Sequence, residues 1–352
     1  MRKKTKKLIS ILITICIAAG LVSCGNLNVT TSGKEKYSDT YFDAFDTVII
    51  FTAYCDSKDE FTRMSSEVKD IYFYYHKLFD IYNDYDGMNN AKTLNDNAGI
   101  APVKLDEPFL DLVEFSKDLY KQTDGNVNIA FGSVLKYWHN VREAVNNGEK
   151  AELPLMEDLQ AANLHCNIDD IIVDRENGTV FLADPLMSVD LGSVAKGYAT
   201  ELIADKLLAE EKTNIIISAG GNTRSVGLKP GDEKWSVGIQ NPDAASSQFA
   251  EIIEIGSCSV VTSGTYERFF ELDGVRYHHI INKDTLKPEN NFQSVSIVTE
   301  DSGYADALST AVFNMTLEDG KRFISEQKDT EAMWILNDNS KVYSDGFMAL
   351  IR

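Results

Sequence analysis

Cysteine is scarce in this chain: five residues in 352, at positions 16, 24, 55, 166 and 258. Two lie in the first 24 residues, and the other three are odd in number, far apart and never in Cys-x-x-Cys spacing. That pattern argues against a disulfide scaffold and a zinc site and leaves buried thiols as the plain reading. Positive charge is also short, with 34 Lys and Arg against 54 Asp and Glu and a formal net charge of −20. Such a surface repels nucleic acid and anionic lipid. No Gly-x-Gly-x-x-Gly follows a strand-like segment, so a Rossmann dinucleotide site has no fingerprint here, and Gly220-Gly221 alone is weak evidence for one. There is no internal repeat.

The one long, largely apolar run sits at the start. Residues 1–7 carry five basic side chains, and residues 8–22 follow without a charge. The run falls short of the roughly 20 residues a membrane span needs and has the basic and hydrophobic regions of a secretory signal. Leu21-Val22-Ser23-Cys24 closes it in the manner of a bacterial lipoprotein signal, which makes residues 1–23 a signal peptide and Cys24 a lipid attachment point. Cleavage there removes five bases and no acids, leaving 29 against 54 and a net charge of −25. The body would then be held at the extracytoplasmic face of the cell membrane by its anchor, not its charge. Residues 24–40 read as a polar tether, and residues 41–352 as the globular domain, whose 43% apolar content suffices for a sizeable core.

Within that domain, Phe61, Met64, Val68, Ile71, Tyr72, Tyr75, Leu78 and Phe79 recur at three- and four-residue steps, the mark of a long amphipathic helix. Residues 80–99 are rich in Asn and Asp and read as a loop, and residues 109–121 as a second helix. Residues 140–159 read as a polar surface excursion. Asn177-Gly178 between two β-rich runs is a hairpin signal. Residues 194–208 read as a helix, and short strands are expected around 214–218, 235–239, 252–255, 260–261, 268–272, 276–281 and 294–298. Strands with interspersed helices, without strict βαβ alternation, predict a mixed α and β (α+β) fold, not a Rossmann one.

Two stretches carry the densest chemistry. Val189-Asp190-Leu191-Gly192-Ser193-Val194-Ala195-Lys196-Gly197-Tyr198 reads as a strand, a glycine turn and a helix start, whose free amides and Lys196 suit a phosphate. The structural alternative makes Asp190 a cap, the glycines packing residues and Lys196 a solvated charge. Tyr304-Ala305-Asp306-Ala307-Leu308-Ser309-Thr310 puts a carboxylate and a hydroxyl at i and i+4, a pair that Mg²⁺ accepts while keeping waters and phosphate oxygens. The alternative here is Asp306 as a helix cap with Thr310 packed. His278 and His279 lie in an apparent strand, so only one can reach a given face. No Ser-His-Asp order is specific enough for a hydrolase triad.

Taken in order, these two motifs with Ser218-Ala219-Gly220-Gly221-Asn222, Thr262-Ser263-Gly264-Thr265-Tyr266-Glu267-Arg268 and His278-His279-Ile280-Ile281 resemble the ApbE family of FAD:protein FMN transferases, over essentially all of the chain from about residue 43. The resemblance implies an ApbE-like flavin transferase fold and an Mg²⁺-dependent enzyme. It would cleave the FAD diphosphate, attach FMN through a phosphoester to a threonine of an exported acceptor protein, and release AMP. By the same resemblance Asp306 and Thr310 are metal ligands with a backbone oxygen at Ser193 or Ala195, and Ser309 is counted beside them. Asp190 and Lys196 match flavin-contacting positions, as do Phe45, Tyr82 and the segment Gly125, Asn126 and Val127, with Ile280 next to the candidate catalytic His279. The chain departs from the family where Phe45-Asp46-Thr47 replaces Met-Gly-Thr, where Asn128 stands in place of an aspartate, and where Asn282-Lys283-Asp284-Thr285-Leu286 lacks the glycine after Thr.

The expected mechanism has the acceptor threonine attack the FMN phosphorus, with His279 as general base and the metal at Asp306 steadying the departing AMP. Two rivals remain open at this level: an FAD pyrophosphatase, in which water replaces threonine, and a non-catalytic FAD-binding lipoprotein.

Overall fold

The computed structural model describes residues 33–243 and 247–352, so the signal, Cys24 and most of the tether lie outside the described residues. Its centre is an eight-stranded sheet: β1 (Glu35–Ala44), β2 (Thr47–Cys55), β3 (Ile215–Ala219), β4 (Asn222–Val226), β5 (Ser259–Gly264), β6 (Phe292–Thr299), β7 (Glu331–Leu336) and β8 (Lys341–Tyr343). These strands lie side by side in chain order, each antiparallel to the next. An antiparallel meander is the opposite of the parallel, crossover-linked Rossmann sheet. The mixed α and β expectation holds.

The meander is interrupted by insertions. Between β2 and β3 run six helices: α1 (Lys58–Phe79), α2 (Ala91–Asp96), α3 (Glu107–Gln122), α4 (Gly132–Asn147), α5 (Met156–Asn163) and α6 (Ala195–Ala209). A small three-stranded sheet also lies there, and in it Asp174 pairs with Thr179 across the Asn177-Gly178 turn. Between β6 and β7 come α7 (Ser302–Phe313) and α8 (Leu317–Ser325). Helices α6 and α7 bury residues on more than one face because each has two neighbours. Ala195 and Ala199 of α6 pack with the helical insertion, whereas Ile203, Ala204 and Leu207 pack under β1–β3. Ala307 and Ala311 of α7 share the first cluster, and Leu308 and Val312 pack on β6 and β7.

Four expected boundaries move. β1 begins at Glu35, inside the stretch read as tether; its side chains are mostly exposed, so no apolar alternation announces it, and pairing with β2 makes it a strand. The loop at 80–99 contains α2, set by the Asn90 capping box with Thr93. The excursion at 140–159 is largely the last turns of α4 and the start of α5, each burying a few apolar side chains on an otherwise polar surface. The strand expected at 276–281 stops at His278, leaving His279 just beyond it.

Candidate active site

The first motif is shaped by Asp190. Its amide donates to the Ile129 carbonyl at 2.8 Å and its buried carboxylate accepts the Gly192 N–H at 2.8 Å. This is a local Asx turn; α6 starts later, at Ala195, with Val194 at its N-cap position. Asp190 therefore bends the chain and does not cap the helix. Ser193 lies in that turn, partly exposed.

Gly197 decides how α6 meets α7. A Cβ there would stand 2.3 Å from the Ser302 carbonyl oxygen and 2.4 Å from Asp306 Cβ. Only glycine permits that approach, and through it the Gly197 N–H donates to Asp306 Oδ2 at 2.7 Å. Lys196 Nζ lies 2.9 and 3.1 Å from the two carboxylate oxygens. The cap of α7 is Asp301, which accepts the Tyr304 N–H at 2.6 Å. Asp306 is thus buried and free of capping duty, and Lys196 is not a solvated charge. Among the described residues none is hydrogen-bonded to the Thr310 hydroxyl, one turn on and partly exposed. The Ser309 hydroxyl, fully buried, already has partners in the Asp306 carbonyl and Ser263 Oγ.

The two histidines divide their roles. His278 is saturated: Nδ1 accepts the Ile280 N–H, so Nε2–H donates to the Glu289 carbonyl. His279 Nδ1 faces the Arg268 carbonyl at 3.2 Å. A carbonyl only accepts, so the proton sits on Nδ1 and the Nε2 lone pair is left for a substrate. Burial, then the Arg268 guanidinium, pushes the His279 imidazolium down to about 3, keeping the ring neutral. Beside Arg268 stands Glu267, whose Oε1 would lie 2.9 Å from a Cβ at Gly221. Burial of its carboxyl end pushes that group up to about 7, against the pull of Lys196 and Arg268. Glu267 thereby feels both ends of the site.

The remaining expected residues separate into walls and core. Phe45, at φ 53 in the β1–β2 turn, donates its N–H to His76 Nδ1 and accepts from Arg268 Nη2, both at 3.2 Å. Tyr82 is 56% exposed and its hydroxyl meets His139 Nδ1 at 3.2 Å. Gly125, at φ 76, closes the turn after α3 within reach of Lys283, and Asn126 Nδ2 donates to the Thr123 carbonyl. Val127 and Ile280 are core side chains, so only their backbone is available to a ligand. The crevice between the histidines and arginines, lined by Trp138, His139, Arg142, Arg268, Tyr277 and His279, holds about 10 Å³. That is room for one water. A broader depression of about 790 Å³ between α1 and α6, lined by Arg63, Asp70 and Tyr74 among others, contains none of these residues.

Comparison with known proteins gives the same motif order a family. The ApbE family model matches residues 45–334. The chain belongs to the ApbE family. It is 35% identical over 274 residues, 74% of each chain, to a Treponema pallidum protein named FAD:protein FMN transferase. A Klebsiella pneumoniae protein of the same name is 29% identical over 279 residues, covering 76% of this chain and 83% of the relative. In structure it is similar to the ApbE protein of Thermotoga maritima, with TM-score 0.80, 27% identity, and 90% of this chain and all of that one covered. The Vibrio cholerae flavin transferase ApbE shares the fold at TM-score 0.74 and 22% identity, over 90% and 99% of the two chains.

Within this ApbE chain, no three His, Cys, Asp or Glu side chains among the described residues gather to cage a metal. One buried carboxylate, an unpartnered hydroxyl one turn away and the peptide oxygens of a nearby turn instead suit a hard cation that keeps its waters and takes phosphate oxygens. Sequence reasoning missed His139, just before the stretch read as excursion, and Arg142, inside it, and gave Glu267 no role. The usable signal was rarity: with five histidines in the chain, His139 beside Trp138 on an amphipathic helix could have been singled out.

Proposed function

We propose that this chain is an FAD:protein FMN transferase that cleaves the FAD diphosphate, attaches FMN by a phosphoester to a threonine hydroxyl of an exported acceptor, and releases AMP. The observation that carries the reading is the buried Asp306, held by Lys196 and the Gly197 amide at a glycine-enabled helix contact, with Glu267 feeling both this pair and the Arg268 that faces His279. The similarity to proteins named FAD:protein FMN transferases, over three quarters of the chain, supports it.

The residues take these roles. Lys196 and the Ser193 amide meet the diphosphate, since the Gly192, Val194 and Ala195 amides are bonded within the turn. Asp306 and Thr310, with a backbone oxygen of Ser193 or Ala195, would hold Mg²⁺. When bound, Mg²⁺ neutralises diphosphate charge and favours departure of AMP. Nε2 of His279 accepts the proton of the acceptor hydroxyl as its oxygen bonds to the FMN phosphorus. An imidazole with so low a pKa is a weak base when the site is empty; a bound diphosphate beside Arg268 relieves part of the repulsion and strengthens it. Tyr82, Phe45 and Asp190 border the flavin end. The enzyme would work at the extracytoplasmic membrane face, anchored through a lipidated Cys24, where exported acceptors are met.

The test is direct. Purified protein, FAD, Mg²⁺ and a threonine-bearing acceptor should yield a covalently fluorescent acceptor and AMP. AMP with free FMN only would make it a pyrophosphatase, and stoichiometric FAD binding without AMP a non-catalytic binder. A Cys24→Ala chain should leave the membrane fraction.

A further inference from the structure

His139 has no role in the reading above, yet its surroundings are those of a built element. It projects from α4 toward Tyr82, with the two rings 6.2 Å apart and tilted by 48°. The Tyr82 hydroxyl meets Nδ1 of His139 at 3.2 Å, and that is its one hydrogen-bond partner among the described residues. On the other side of the imidazole, Nε2 stands 3.8 Å from Asp190 Oδ2. In the tautomer that turns Nε2–H toward this carboxylate, Nδ1 receives the Tyr82 O–H.

Both ends of this chain of groups are fixed independently. Asp190 is buried, with its carboxylate on the Gly192 amide and its own amide on Ile129. The Tyr82 backbone is set by Asp80, whose carboxylate accepts the Tyr82 and Asn83 amides, Asn83 Nδ2 and the Tyr85 hydroxyl. What Asp80 leaves unset is the direction of the Tyr82 ring, which is 56% exposed and packs on little else. Helix α4 does not need His139 for its own anchorage, because Trp138 is buried and donates Nε1–H to the Leu286 carbonyl at 3.1 Å.

We propose that His139 is a positioning residue for flavin recognition: its bond to the Tyr82 hydroxyl locks that ring beside the imidazole, with Asp190 behind it, making one rigid wall for the isoalloxazine end of FAD. This rests on the FMN-transfer reading. A ring held in place loses no rotamer freedom when the flavin docks, so the benefit falls on binding and not on the chemical step. Burial shifts the His139 imidazole toward its neutral form, against the pull of Asp190 and with Arg142 and Arg268 adding to it.

The experiment is FAD titration of the full chain, followed by flavin fluorescence quenching, for wild type, His139→Ala, His139→Asn, Tyr82→Phe and the double variant His139→Ala/Tyr82→Phe. His139→Ala and Tyr82→Phe should each weaken FAD binding about fivefold, the scale of one hydrogen bond. The double variant should be no worse than either single one, since both delete the same interaction. His139→Asn should recover part of the loss. In transfer assays KM for FAD should rise while kcat stays within about twofold. Additive losses in the double variant, unchanged FAD binding in His139→Ala, a loss confined to kcat, or a lowered melting temperature that accounts for the weaker binding would each overturn the proposal. Wild type that binds no FAD would remove the functional reading first, and this inference with it.

Discussion

Two ion pairs of α6 are shielded from solvent, and they behave differently. Glu201 and Arg224 are 10% and 3% exposed, joined by a two-pronged fork at 2.8 and 2.9 Å. Glu201 Oε2 also takes the Ser302 N–H at the start of α7, and Arg224 Nη1 donates to the Ser225 carbonyl. Both carboxylate oxygens and all three guanidinium nitrogens are engaged, so this pair welds α6, β4 and α7 together. One turn earlier on α6 and one turn later on α7, Lys196 and Asp306 form the second pair, at 19% and 8% exposure. Lys196 is a point charge on a flexible stem, without the rigid fork of arginine, so it can yield to a phosphate or a cation. The lesson is that the forked pair fixes the helices, and the more yielding one is left able to meet a ligand on the frame so fixed.

The largest effect should come from Asp306→Ala, which breaks the reactive pair and the Gly197 contact but leaves the Glu201–Arg224 fork in place. FMN transfer should fall by about a thousandfold or more, while the thermal unfolding curve stays close to wild type; appreciable transfer would erase the distinction between the pairs. His279→Gln should cost about a hundredfold to ten-thousandfold in kcat and leave FAD binding measurable by fluorescence. Arg224→Met should do the reverse of Asp306→Ala: stability drops by about 3–5 kcal/mol because Glu201 is left buried and unpaired. Urea unfolding reads that loss, and transfer per folded molecule should stay within a few-fold of wild type.

The smallest effect concerns pH and sharpens the same contrast. Glu267, beside the reactive pair, has its folded carboxyl raised from 4.5 to about 7. Its contribution to stability is therefore present below pH 4.5 and lost as pH rises through about 7. Glu267→Gln should flatten the alkaline side of a melting-temperature profile from pH 5 to 8. His279 runs the other way, its folded value lowered from 6.5 to about 3. Stability present above pH 6.5 declines as pH falls toward 3, and His279→Gln should remove part of that acid loss.

Much of the frame was legible because it is local. The periodic apolar residues of α1, the Asn177-Gly178 hairpin and the i, i+4 spacing of Asp306 and Thr310 follow from backbone geometry within a few residues. β1 was hidden because an exposed edge strand needs no apolar alternation, and α2 because six residues bury only Ala91 and Leu94. Among the site residues, Val127 and Ile280 sit in motifs yet point into the core, whereas His139 lies outside every motif and reaches the site.

The sequence by itself determined the order of motifs, the family they belong to and the residue types that can bind phosphate and a hard cation. The tertiary structure alone decided that Asp301 caps α7 and leaves Asp306 free, that Lys196 meets Asp306 across 110 positions, that His278 is spent on the backbone while His279 is not, and that His139 finds Tyr82. Local propensity acts over a turn of helix or a pair of strands. Partnerships between distant side chains depend on how the sheet and its helical insertion pack, and a Cβ at Gly197 would suffice to separate the two helices that make this one.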